Sequence, residues 1–255
     1  MYELALCSGI GGLSLGLQRS GVKPACYVER NPYRVNVLIS RFNDGSLHSA
    51  PIWDDVTSFD GRPWCGRVDI ISAGFPCQPF SKSGLRRGSD DERYLWPDIY
   101  RIVCEVQPRF VLLENVSGLL DANKREHLPA PLSGVLADLA RIGFDAEWQM
   151  LSAHSFGAPH ERKRIFIVGY PHQSRWRAIL CPFAEIGIEA YSGWPTIDMD
   201  TSSSCLQAME DRTCQSAIFR GNDGTAHRVE RLASIGESVV PQVAEYIGKC
   251  ILRGE

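Results

Sequence analysis

The sequence predicts an α/β fold: a doubly wound sheet covered by helices on both faces, with a small inserted lobe. Two observations carry this expectation. Short apolar runs ending in Gly, Asp, Glu or Pro alternate with amphipathic stretches, as expected of parallel strands buried beneath helices. The alternation stops after Pro171, where a segment of different character begins.

Strands are expected at residues 2–7, 25–29, 69–73, 110–114, 146–151 and 164–169. Helices are expected at 13–20, 32–42, 95–106 and 132–142, each with apolar residues at three- and four-residue spacing. Residues 176–224, which include the TSSSC stretch at 201–205, lack such periodicity and suggest an insert. A last helix over 239–252 tolerates Pro241 in its first turn and gathers Val240, Val243, Ala244, Ile247 and Ile251 on one face. The expected division is therefore a first domain over 1–170, a small insert over 171–228, and a return to the first domain over 229–255.

With 255 residues, 44% of them hydrophobic, the chain can bury one large core. A formal net charge of -3 is not that of a protein that binds polyanions over its whole surface, so contact with nucleic acid would rest on local basic patches. Nine cysteines contain no Cys-x-x-Cys pair, and no His/Cys cluster has zinc spacing, so neither a disulfide framework nor a metal site is expected. Reduced thiols in a cytoplasmic compartment are the corresponding expectation; a monomer is expected as well. Residues 1–12 lack a basic region followed by an apolar stretch, and no later run approaches about 20 apolar residues, so neither a leader nor a membrane span is expected.

Two constellations carry chemistry. The first strand runs into Ser8-Gly9-Ile10-Gly11-Gly12 and then a helix, so the backbone can turn tightly and approach a ligand. Glu29 ends the next strand, where a carboxylate can accept hydrogen bonds from both hydroxyls of a ribose. Asp55, after Trp53, could accept from an adenine amino group; the alternative for either acid is a solvated carboxylate. The second constellation begins with GFPCQPFS at residues 74–81, where prolines on both sides of Cys77 can hold one thiol at the carboxyl edge of the sheet. The alternative for Cys77 is a small buried hydrophobe. Parallel topology brings Glu114, in Glu114-Asn115-Val116, to the same edge. A thiolate can add to carbon 6 of a cytosine and turn carbon 5 into an enamine-like nucleophile, while a carboxylic acid at ring nitrogen 3 offsets the developing charge.

The sequence resembles the bacterial and phage cytosine-5 DNA methyltransferases. The motifs are LCSGIGG at 6–12, GFPCQPFS at 74–81, ENV at 114–116, APHERKR at 158–164 and GESVVP at 236–241. The resemblance implies a Rossmann-like methyltransferase fold, S-adenosylmethionine as donor, double-stranded DNA as substrate and a target cytosine flipped out of the duplex. It also implies Cys77 as nucleophile, Glu114 as its nitrogen-3 partner, and Arg162 and Arg164 as supports on the pocket and phosphate side. Glu29 would hold the ribose and Asp55 the adenine, with Leu6, Ser8, Gly9, Gly11, Gly12, Val56, Pro79 and Val239 completing the cofactor site. Ser81, Arg86 and Arg87 would contact DNA, the two arginines from a loop over 82–93 that closes on phosphates. Residues 1–170 would be the catalytic and cofactor-binding domain, 171–228 the small target-recognition insert, and 229–255 the C-terminal helix that returns to the catalytic domain.

Two positions depart from the family pattern: His160 stands where Gln is usual and Glu237 where Asn is usual. Glu237 is expected either to attract the donor's sulfonium or to interact with the dipole of the following helix. A DNA- or cofactor-binding relative without turnover, and an RNA cytosine-5 methyltransferase, are the alternative readings.

Overall fold

The computed structural model describes residues 1–75, 95–120, 131–158, 160–172, 174 and 234–253. A seven-stranded sheet has the order β3-β2-β1-β4-β5-β7-β6. Its strands are β1 (Tyr2–Leu6), β2 (Lys23–Val28), β3 (Ile52–Trp53), β4 (Ile70–Gly74), β5 (Phe110–Val116), β6 (Phe144–Ser152) and β7 (Lys163–Pro171). The helices are α1 (Gly12–Arg19), α2 (Pro32–Asn43), α3 (Trp96–Val106), α4 (Pro131–Arg141) and α5 (Pro241–Arg253). All six expected strands and all five expected helices are present, within a few residues of their expected bounds. Most of the expected insert, including 175–228, lies outside the described residues.

Alternate residues of each central strand serve opposite faces. Leu4 and Leu6 of β1, with Val111 and Leu113 of β5, join Ile99, Ile102 and Val103 of α3 and Val135 and Leu139 of α4 in one core. On the other face, Phe110 and Leu112 pack with Leu13 and Leu17 of α1 and Val243, Ile247 and Ile251 of α5. Ala5 and Tyr27 meet Leu38 of α2 there. The sheet is thus wound on both sides, as the unbroken apolar strands require.

Two features differ from the sequence expectation. β3 has only two residues, too few to show periodicity. The sheet is mixed rather than all parallel, because β7 runs antiparallel to both β5 and β6. The link between β6 and β7 is short and contains a single turn of 3-10 helix at Ala153–Phe156; a parallel pair would need a crossover, usually a helix.

α5 docks against α1 with almost no space between the backbones. A Cβ at Gly16 would stand 2.3 Å from the Pro241 carbonyl oxygen, and one at Gly12 would stand 2.4 Å from that of Val239. Both values are below any tolerable carbon–oxygen contact, so these glycines permit the approach. Asn31 caps α2 by accepting from the amides of Tyr33 at 2.9 Å and Arg34 at 3.2 Å, with Pro32 in the first turn.

Candidate active site

Strand order reverses between β1 and β4, which creates a crevice at the carboxyl ends of the strands. A cavity of about 640 Å³ lies there, lined by the exits of β1, β2, β4 and β5, the start of α2 and the 234–239 turn. That volume is within the range of pockets that hold small organic ligands. Leu6, Ser8, Gly9, Gly12, Glu29, Asp55, Val56, Glu114, Arg164 and Val239 all line it, so most of the residues expected at the site come together.

At the β2 end, the Glu29 carboxylate accepts from the Gly9 amide at 2.7 Å and the Asn31 amide at 2.8 Å. It ties the glycine turn to the start of α2, and each oxygen keeps a lone pair for a ligand. Ser8 braces the same turn, its hydroxyl donating to the Ala5 carbonyl at 2.8 Å. Asp55 uses one oxygen to accept from the amide and hydroxyl of Thr57, both at 2.9 Å. The Thr57 amide holds its carboxyl below the usual aspartate range. Gly11 does not line the cavity. It has φ +81° and a Cβ there would stand 2.5 Å from Leu47, so its contribution is the shape of the turn.

At the β5 end, Glu114 is 5% exposed and faces Gly74 across the β4–β5 ladder. Burial pushes its carboxyl up to about 7, an effect that Arg164 and Arg162 partly oppose. Arg164 Nε lies 3.1 Å from Glu114 Oε1. This carboxyl can hold or release a proton near neutral pH. Asn115, to which the sequence reading gave no role, donates from Nδ2 to the Phe75 carbonyl at 3.3 Å and so fixes the chain as it leaves β4. Cys77, Pro79, Ser81, Arg86 and Arg87 lie outside the described residues.

Arg162 is set apart from the cavity. At φ +26°, its guanidinium donates to the carbonyl of Gly236 at 2.7 Å and to that of Ser238. Arg164 Nη2 also reaches Gly236, at 3.5 Å. Arg162 therefore acts through the 236–238 turn that forms one wall of the cavity. Glu237, at the centre of this turn, is ion-paired with Arg34 of α2. The pair with Arg34 is a contact that neither expectation for Glu237 included, and α5 begins four residues further on, at Pro241. The helix expected at 32–42 already set Arg34 in its first turn, but no local signal marked it as the partner of Glu237.

Among the described residues, no three His, Cys, Asp or Glu side chains are grouped as metal ligands. No described helix is long and apolar enough to cross a membrane.

Residues 1–217 match the family described as C-5 cytosine-specific DNA methylase. The chain is 34% identical over 174 residues to the type II methyltransferase M.NgoMIV of Neisseria gonorrhoeae, covering 67% of this chain and 52% of that protein. It is 36% identical over 166 residues to M.NlaX of Neisseria lactamica, covering 65% of this chain and 50% of that one. It thus spans about half the length of these relatives. The S. pombe Dnmt2 methyltransferase structure shares the fold, with TM-score 0.63 and 15% identity over 99% of this chain and 98% of that one. A strand-end acid at each end of one crevice, the ordered motifs and the family match over most of the sequence together show that the chain belongs to the C-5 cytosine-specific DNA methylases.

Proposed function

We propose that this chain transfers a methyl group from S-adenosylmethionine to carbon 5 of cytosine in double-stranded DNA, through a covalent adduct on Cys77 with the base flipped out of the helix. S-adenosylmethionine is the cofactor of the family, and the cavity suits it: Glu29 and Asp55 offer carboxylate acceptors to a nucleoside at one end. When bound, it supplies a methyl group on a positively charged sulfur. The chain's own residues do the rest.

The observation that carries this reading is Glu114, a buried carboxyl held near pH 7 at the far end of the same cavity. As the Cys77 thiolate bonds to carbon 6, negative charge builds on the ring. Protonated Glu114 donates to nitrogen 3 and offsets it. Arg164, which lines the same cavity, pairs with this carboxyl at 3.1 Å. Two peptide units, each about 3.8 Å between Cα atoms, separate Cys77 from Phe75, whose carbonyl Asn115 holds. Once the methyl group has been received, loss of the proton on carbon 5 and elimination of the thiolate restore the aromatic ring and the free cysteine. Base flipping follows from the same chemistry, since a stacked ring cannot be attacked from below and methylated from above.

The test is transfer of labelled methyl from S-adenosylmethionine to separate pools of duplex DNA and RNA, followed by base-resolution mapping. Label on carbon 5 of DNA cytosine is the expected result; label confined to RNA, or donor binding without transfer, overturns the proposal. A cytosine analogue with fluorine on carbon 5 should trap the protein on DNA through Cys77, and an adduct on any other cysteine overturns the choice of nucleophile.

A further inference from the structure

Asp55 sits on a stretch of chain that the sheet hardly holds. β3 is an edge strand of two residues, paired with β2 at Ile52 and Trp53, so the ladder ends before Asp55. The turn that follows is held from α3 instead. Arg101 donates from Nη1 to the Phe59 carbonyl at 2.9 Å, and from Nη2 to the carbonyls of Val56 and Thr57 at 3.1 and 3.3 Å. One helical turn on, Glu105 pairs with Arg101 at 3.2 Å and accepts from the Gly61 amide at 2.7 Å. Asp98 lies 3.6 Å from the same guanidinium.

The hold reaches Asp55 through Thr57. One Asp55 oxygen accepts from the Thr57 amide and hydroxyl, so the carboxylate moves with the backbone of residues 56–59. The other oxygen, 3.8 Å from the exposed Arg30, is left for a ligand. Asp55 and Val56 line the cavity and Arg101 does not. Ion pairs on a part-exposed arginine add little to stability. A planar guanidinium that donates to three carbonyls of one turn fixes its shape, which the single ammonium of a lysine cannot do.

We propose that Arg101 is a positioning residue for adenine recognition: by holding the 56–59 turn it aims Asp55 at the amino group of the donor's adenine. This rests on the donor assigned above. The N–H bonds of that amine have fixed directions in the ring plane, and a hydrogen bond weakens steeply once its angle falls below about 120°. With the turn unheld, Asp55 would favour adenine little over a purine carrying oxygen at the same position.

The experiment is calorimetric titration of the purified full chain with S-adenosylhomocysteine and with S-inosylhomocysteine, in which a ring oxygen substituent replaces the amine. The parent should prefer the adenine compound by about tenfold or more, the value of one charge-assisted hydrogen bond. Arg101→Gln should reduce this preference to about twofold and leave S-inosylhomocysteine binding unchanged, which also shows that the variant cavity is folded. Asp55→Ala should lose the preference too, and Arg101→Gln added to Asp55→Ala should change it no further, because both act through one carboxylate. Equal loss for both ligands in Arg101→Gln makes Arg101 a strut for the whole cavity and overturns the proposal, as does an unchanged preference or a further change in the double variant. Failure of the parent to bind either compound overturns the donor assignment itself, an outcome distinct from failure of the positioning role alone.

Discussion

Glu3 gives the sharpest link between a buried charge and a measurable quantity. It lies in β1 with no solvent exposure. One carboxyl oxygen accepts from the Ser14 hydroxyl at 3.0 Å and from the Ser72 hydroxyl, and the other has no partner. Both serines line the cavity. Burial outweighs these hydrogen bonds and raises the Glu3 carboxyl from 4.5 to about 7. At ~1.4 kcal/mol for each tenfold change in proton affinity, ionising Glu3 in the folded protein costs about 3 kcal/mol more than in the unfolded chain. Because the folded-state value is the raised one, the protein is free of this cost below pH 4.5 and incurs it progressively as pH rises to about 7. Glu3→Gln keeps the shape and the acceptor oxygen but cannot ionise. Relative to the parent, the variant should therefore gain roughly 1.4 kcal/mol per pH unit from pH 5 to 7 and level off above that. Urea unfolding followed by tryptophan fluorescence at pH 5, 6, 7 and 8 measures the difference, and the similar slope contributed by Glu114 cancels. A difference that stays constant across this range would refute the reasoning.

Glu114→Gln should lower the rate of methyl transfer by about 100-fold or more, because an amide cannot supply the proton, while equilibrium binding of S-adenosylhomocysteine persists; wild-type single-turnover rates would contradict the assigned role. Cys77→Ser should abolish turnover and adduct formation with little effect on cofactor binding, since a hydroxyl is a far weaker nucleophile near neutral pH. Gly16→Ala should destabilise the fold by roughly 1–3 kcal/mol through overpacking between α1 and α5, read from the shift in the urea midpoint; an unchanged midpoint would show that the two helices can part without penalty. Methylation mapped over a diverse duplex library should reveal a short or permissive target, as expected of a small recognition insert.

Much of this architecture was legible because its signals are local. Fully buried strands read as apolar runs, and the acids at their ends, Glu29 and Glu114, fall at the ligand edge of any such sheet. The direction of β7 was not legible, since an apolar run looks the same in either orientation; only the short link to β6 bore on it. Gly11 looked like a ligand contact because a glycine required by a turn and one required by a ligand leave the same mark in a sequence. Arg34 was invisible for another reason. Its partner Glu237 is 203 residues away, and nothing in the local pattern of α2 announces a contact made only when α5 has docked on α1. Asn115 was read as part of a motif, but its hold on Phe75 across the β4–β5 ladder emerged only with the strand register.

The wall formed by residues 234–239 bears on how the protein comes into being. Gly12 and Val239 touch although they are far apart in sequence, so the β1–turn–α1 unit leaves the ribosome long before the segment that closes over it. Until then the glycine turn and Glu29 lie in a half-built crevice, and the apolar side of α1 that later receives Val243 and Ile247 stays uncovered. Contacts this distant in sequence form late, because a long loop must close before they return any energy. Assembly of the cavity is thereby tied to the closure of a long loop, and a ligand that binds it will favour molecules in which the 234–239 turn is in place.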